Sequence, residues 1–223
     1  MSKINMMQGD CMEYMASLPD NAYDLAIVDP PYGIRQDGHR DNNRSKLAVS
    51  KNYHKALWDQ PRPNGDYFTE LFRVSKNQIV WGANNYPEHL KPSPCWIVWD
   101  KDNSGDFADC ELAYGSFETA VRKFKFRWNG MIQGNMKNKE YRIHPNQKPV
   151  ALYKWLLKNY AKPGDKILDT HGGSGSICIA CHDMGFDLDW IELDEDYYNA
   201  AMKRFNLHTA QGSLFEFEGG NIA

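Results

Sequence analysis

Between residues 166 and 205 the sequence reads as strand, glycine-rich turn, helix, strand and helix with almost no linker, and no other stretch narrows the fold as much. Lys166 to Leu168 is a short strand, HGGSGS is the turn, Ile177 to Met184 is a helix, Leu188 to Leu193 a second strand, and Glu195 to Phe205 a second helix. Two strands joined through a helix lie parallel, because a right-handed crossover packs the helix back onto the sheet. An α/β protein with a mostly parallel sheet and helices on both faces is expected. Asp169 ends the first strand, and Gly172, Gly173 and Gly175 with Ser174 and Ser176 open the helix. That arrangement brings backbone N–H groups up to the anionic end of a ligand. Glu192 ends the next strand, where a carboxylate can accept both hydroxyls of a ribose. A nucleotide-type cofactor is expected. The dinucleotide fingerprint G-x-G-x-x-G or A fails at its last position, which counting from Gly173 is Cys178. A glycine-rich segment serving only a tight turn is the plain alternative.

The remaining residues extend the alternation. Strands are expected at Ile4 to Met7, Tyr23 to Val28, Gln78 to Trp81, Trp96 to Trp99, Cys110 to Tyr114 and Lys123 to Trp128, and helices at Met12 to Leu18, Tyr67 to Val74 and from Pro149 to Tyr160. A chain of 223 residues fits one domain over 1–223. With 42% hydrophobic and 25% charged residues it is neither disordered nor a coiled coil. No uncharged apolar run is long enough to span a membrane, and the first residues lack the apolar core of an export signal. Five cysteines without such a signal suit reduced thiols in the cytoplasm.

The net charge of −3 conceals two basic segments. Residues 34–65 hold seven Lys or Arg against three acids, and residues 122–142 hold seven against Glu140 alone. Local cation density of this kind can bind a polyanion, and solvated loops are the alternative. Residues 34–65 are read as a basic loop or insertion and as the candidate target-recognition segment, with Tyr53 and Trp58 inside it as candidate nucleic-acid contacts.

A second constellation, Asp29-Pro30-Pro31-Tyr32-Gly33, follows the YDLAIV strand. Two prolines remove two donors and fix φ, so the carbonyls around them are stiffly presented. The Asp29 carboxylate and the Pro30 carbonyl could accept the two N–H protons of an exocyclic amine while the Tyr32 ring stacks on the attached base. As an isolated tetrapeptide it would read equally as a turn.

Taken together, DPPYG at 29–33, HPNQKPVALY at 144–153, and ILDTHGGSGS with WIELDEDYYNAAMKRF over 167–205 resemble the amino-methylating DNA methyltransferases in their β order, with the DPPY loop before the glycine loop. The resemblance implies a circularly permuted, Rossmann-like methyltransferase fold with one antiparallel strand and S-adenosyl-L-methionine (AdoMet) as cofactor. It implies catalytic roles for Asp29, Pro30, Pro31 and Tyr32. Cofactor contacts are implied for Asp29, Asp169, His171, Gly173, Ser174, Gly175 and Ser176, for Glu192 and Leu193, and for Asn146, Gln147 and Lys148. Residues 1–10 then supply the strand beside that of Glu192, and Asp10 with Cys11 faces the cofactor's adenine; the alternative for Asp10 is a helix N-cap. His171, Ser176 and Asn146 depart from the family's commoner residues. The acceptor implied is an amine of a base in double-stranded DNA, flipped out of the stack to be reached. Asp at position 29 accompanies adenine-N6 enzymes more often, with cytosine N4 and RNA as alternatives. A homodimer is allowed, and pairing with a restriction endonuclease is left open. No metal is required. From another class, Cys178-Ile179-Ala180-Cys181-His182 matches covalent haem attachment, but it falls on the helix after the glycine loop.

Overall fold

The computed structural model describes residues 2–33, 62–103, 108–129 and 132–219, with side chains described except at 129 and 211–219. Most of the basic loop, including Tyr53 and Trp58, lies outside the described residues. In chain order the elements are β1 (Ile4–Gln8), α1 (Cys11–Ala16), β2 (Tyr23–Val28), α2 (Gly65–Val74), β3 (Ser75–Trp81), β4 (Trp96–Asp100), β5 (Cys110–Gly115), β6 (Arg122–Lys125), β7 (Trp128–Asn129), β8 (Ile132–Gln133), α3 (Val150–Tyr160), β9 (Lys166–Asp169), α4 (Ser176–Met184), β10 (Asp187–Glu192) and α5 (Glu195–Gly219).

Eight strands form one sheet in the order β1-β10-β9-β2-β3-β5-β4-β6. β1, β10, β9, β2 and β3 run parallel, β5 is antiparallel to both of its neighbours, and β6 is parallel to β4. β5 is therefore the one reversed strand of this eight-stranded sheet. β2 shows why helices cover both faces. Leu25 and Ile27 point into a core closed by α3 and α4, while Ala26 and Val28 point into a second core closed by α1 and α2. A strand buried on both faces loses the polar alternation of a half-exposed one, which is the YDLAIV pattern.

The boundaries move in several places. The helix expected from Tyr67 starts at Gly65, because the Asn64 side chain caps it by accepting from Tyr67 N at 3.3 Å. β3 begins directly at Ser75, three residues earlier than expected, paired to Tyr23 in the parallel ladder. α5 continues to Gly219 rather than stopping at Phe205, since no proline interrupts it. The expected strand over Lys123 to Trp128 divides into β6 and β7, the latter paired with β8 outside the main sheet. Among the described residues no helix is long and apolar enough to cross a membrane.

Candidate active site

The carboxyl ends of the parallel strands gather the acidic residues. Asp29 follows β2, Asp169 ends β9, Glu192 ends β10 and Asp10 follows β1. These four strands are neighbours in the order β1-β10-β9-β2, so their tips lie along one edge. Ligand crevices of open α/β sheets form there.

The Glu192 carboxylate accepts from Gly173 N at 2.7 Å and from Asp194 N at 2.9 Å, one bond at each oxygen. A carboxylate has about four acceptor positions, so both oxygens keep capacity for hydroxyls. Burial raises its pKa. Gly173 sits at φ +53°, and the nearest atoms to a Cβ placed there belong to His144 at 3.8 Å. Leu193, next to Glu192, is 41% exposed at the rim. This edge can hold a nucleoside: hydroxyl acceptors on Glu192, an apolar surface on Leu193, and a backbone turn without a side chain in the way. Asp10 takes the alternative reading, accepting from Met12 N at 2.6 Å as the N-cap of α1 through one oxygen. Cys11 begins that helix, and burial with the Asp10 charge pushes its thiol up to about 12, so it stays protonated.

The glycine turn is tied down from outside the motif. Arg204 on α5 donates to Ser174 O at 2.8 Å, to Ser176 Oγ at 2.9 Å and to Glu140 Oε2 at 2.7 Å. Glu140 Oε1 accepts from Val150 N at 3.0 Å, so the same carboxylate caps the start of α3. The only acid of the second basic segment is thus a brace of the glycine loop. His171 is half-buried against Tyr67, and desolvation lowers its pKa to about 4, which leaves a neutral ring. Asp169 is pushed the other way. Burial, with Asp29 and Glu192 close by, raises its pKa to about 8, against the bond donated by His171 N at 3.0 Å. Cys178 and Cys181 are wholly buried in the core of α4, which leaves the haem pattern a coincidence of packing.

At the other end of the edge stands the DPPY loop. Tyr32 hydroxyl donates to Asp29 Oδ1 at 2.5 Å, and Lys148 Nζ pairs with Asp29 Oδ2. Burial, then the charges of Asp29 and Glu111, push the Tyr32 phenol well above its usual range, so it keeps the proton it donates. Tyr86 hydroxyl lies 2.8 Å from Pro30 O and 2.7 Å from Pro31 O, fixing the carbonyls that the prolines present. Each carbonyl has a second lone pair, so Pro30 can still accept from an amine. Gly82, in the left-handed region at φ +65°, makes room for Tyr32, since a Cβ there would collide with its ring.

The HPNQKP segment divides by role. Lys148 reaches the DPPY carboxylate, and Gln147 braces its own loop, accepting from Ile143 N at 2.9 Å on its side chain and from Trp128 Nε1 at 2.7 Å on its backbone. Asn146 is exposed, with its backbone N donating to His144 Nδ1 at 3.2 Å. Sequence reasoning passed over Gly82, Tyr86, Glu111, Glu140 and Arg204. Only Glu111 carried a usable signal, because a reversed strand brings its first residues, not its last, to the carboxyl edge of its parallel neighbours.

A family model described as a DNA methylase, of the N6/N4 methyltransferase type, matches residues 98–203. A protein of Escherichia coli (strain K12) named as a methylase, YubD, is 29% identical over 220 residues, covering 89% of this chain and 88% of its own. The type II methyltransferase M2.MboI of Moraxella bovis is 23% identical over 242 residues, covering 91% and 87%. Among solved structures, PvuII DNA methyltransferase, cytosine-N4-specific, superposes with a TM-score of 0.61 at 15% identity over 92% of this chain and 86% of its own. The M1.HpyAVI–SAM complex gives 0.55 at 20% identity over 90% and 99%. The sheet is that Rossmann-like methyltransferase fold. The family model, the motif order and the fold agree: the chain is similar to the N6/N4 amino-methylating DNA methyltransferases over residues 98–203 and shares their fold.

Proposed function

We propose that this chain, acting as one catalytic domain, transfers the methyl group of AdoMet to the exocyclic N6 of adenine in double-stranded DNA. The observation that carries the reading is the adjacency of two sites on neighbouring strands. The Glu192 and glycine-loop edge, suited to a nucleoside, stands beside Asp29 and the stiff Pro30 carbonyl, suited to an amine. AdoMet supplies a methyl group activated by a positive sulfonium. Glu192, Gly173, Leu193, Asp10 and Asp169 would hold it.

Asp29 and the Pro30 carbonyl accept the two N–H bonds of the amine, which draws the nitrogen towards tetrahedral geometry and frees its lone pair. Bound AdoMet would give up its methyl group to nitrogen and leave as the thioether, and Asp29 relays the proton that nitrogen sheds to water. As positive charge develops on nitrogen, the Asp29 carboxylate stabilises it. Adenine is preferred on the first residue of the loop, since Asp there accompanies N6 enzymes in the family that the motifs resemble. Two measurements test the reading. Asp29→Ala abolishes transfer to DNA while AdoMet binding by calorimetry persists, whereas Glu192→Ala weakens AdoMet by about 1 to 3 kcal/mol. Mass spectrometry of nucleosides from modified DNA shows N6-methyladenine; N4-methylcytosine in its place overturns the adenine assignment.

A further inference from the structure

The polar cluster around Asp29 extends to Glu111, which no motif covers. Glu111 lies near the start of β5, and because that strand is reversed its first residues reach the edge where β2 and β9 end. Glu111 Oε2 is 3.3 Å from Lys148 Nζ, and Glu111 Oε1 pairs with Lys101, which follows β4. Lys148 is 2% exposed and lies 5.3 Å from the centre of the Trp81 ring, so its ammonium is held between two carboxylates over an aromatic floor. An ammonium shared in this way has little freedom to swing from one carboxylate to solvent.

The division of labour at Asp29 follows from that cage. Lys148 occupies Oδ2, and Oδ1 is left to a neutral donor, which in this structure is the Tyr32 hydroxyl at 2.5 Å. A neutral O–H on Oδ1 marks the place where a neutral N–H of a target amine would sit. We propose that Glu111 is a positioning residue of the methyl-transfer site: it holds Lys148 on Asp29 Oδ2, so that Oδ1 alone is presented to the amine. The proposal rests on the methyltransferase reading above and adds to it a residue outside the DPPY, glycine-loop and HPNQKP motifs.

The electrostatics agree with the geometry. Burial works against the Lys148 ammonium, but Asp29 and Glu111 outweigh it and hold its pKa above the usual lysine range. Burial likewise disfavours the Glu111 carboxylate, and Lys148 with Lys101 outweighs it and keeps its pKa low. The other titratable groups facing the cage are Tyr32 of the DPPY loop and Tyr86, whose phenols burial and the Asp29 charge keep protonated, Asp169 from β9, Tyr153 from α3 and His144 from the HPNQKP segment. Burial keeps Tyr153 protonated and His144 neutral, so neither supplies the countercharge that Glu111 does.

The test compares Glu111→Gln and Glu111→Asp in the full chain, with two readouts. In methyl transfer from AdoMet to DNA, Glu111→Gln lowers kcat by about 10- to 100-fold, the range expected when a reacting group shifts by a fraction of an ångström to one ångström. The dissociation constant for AdoMet stays within about twofold, since Glu111 faces the amine end of the crevice. The alkaline limb of kcat moves to lower pH, because Lys148 has lost one of two carboxylates that hold its proton. Glu111→Asp, which keeps the charge, recovers the position of that limb. The second readout needs no activity: carbon NMR of lysine labelled at Cε, assigned with Lys148→Arg, follows the Lys148 titration directly and shows it at lower pH in Glu111→Gln. Unchanged kcat and an unchanged Lys148 titration in Glu111→Gln overturn the proposal. So does a variant whose only defect is a lower melting temperature. A wild-type protein that transfers no methyl group to DNA overturns the functional reading instead, and the NMR arm still decides whether Glu111 sets the state of Lys148.

Discussion

At the scale of single residues, Asp169 and Lys148 show how one crevice sets opposite demands on charge. Lys148 keeps its charge in the interior because two carboxylates touch it, whereas the neighbours of Asp169 include two further acids that discourage ionisation. With a folded-state pKa of about 8 and an unfolded one near 3.9, Asp169 retains a proton in the native protein that the denatured chain has released. Its contribution to stability is therefore complete below about pH 4 and is lost as pH climbs towards 8, at up to ~1.4 kcal/mol per pH unit. Asp169→Asn, a neutral isostere, should flatten the fall in stability between pH 5 and 8, which urea unfolding of both proteins across that range checks directly. Asp29 and Glu192 were legible in the sequence because each stands at the end of a strand, Asp29 before a proline turn and Glu192 one strand after the glycine turn. Lys148 was legible only as a member of a motif, and its actual partner was not, since residues 119 positions apart are joined by topology rather than by pattern.

Among the elements, the glycine turn depends on more than its glycines. Arg204 comes from α5 and Glu140 from a loop before α3, and between them they tie the turn to two helices. Both side chains are mostly withdrawn from solvent, at 14% and 21% exposure. Removing the arginine leaves Glu140 without its counter-ion, so Arg204→Ala should cost roughly 3 kcal/mol, the lower end for breaking an enclosed pair. Chemical denaturation measures that loss, and Glu140→Gln, which retains the cap on Val150 through its carbonyl, should cost less. No spacing rule could have found this brace. Arg204 belongs to a polar stretch that reads as the outer face of a terminal helix, and Glu140 to a segment that reads simply as basic. The place of β1 beside β10, by contrast, was legible through the resemblance, whose motif order assigns residues 1–10 to the strand next to that of Glu192.

Over the whole molecule, charge is less segregated than its distribution along the chain suggests. Lys123, Lys125 and Arg127 stand against Asp100 and Asp102 at 3.4, 2.8 and 3.0 Å, so much of the positive character of residues 122–142 is answered by acids from the end of β4. Cations already paired contribute less to displacing counterions from DNA. Replacing Lys123 and Lys125 with alanine should leave the salt dependence of DNA binding nearly as steep as before, whereas replacing Lys137 and Lys139 should flatten it by about 0.9 for each phosphate left without its cation. Affinity measured over a series of salt concentrations separates the two pairs. The pairing of β1 with β10 has a different bearing, on the order in which the molecule comes into being. Residues 4–8 leave the ribosome well before residues 187–192, and the edge they need does not exist until β10 has been made. Gly9 N donates to Glu192 O at 2.9 Å, so even the turn that carries Asp10 into the crevice waits for that late strand. Nascent chains therefore carry an unmatched β1 until β10 has been made, and the nucleoside edge closes only when translation has passed β10.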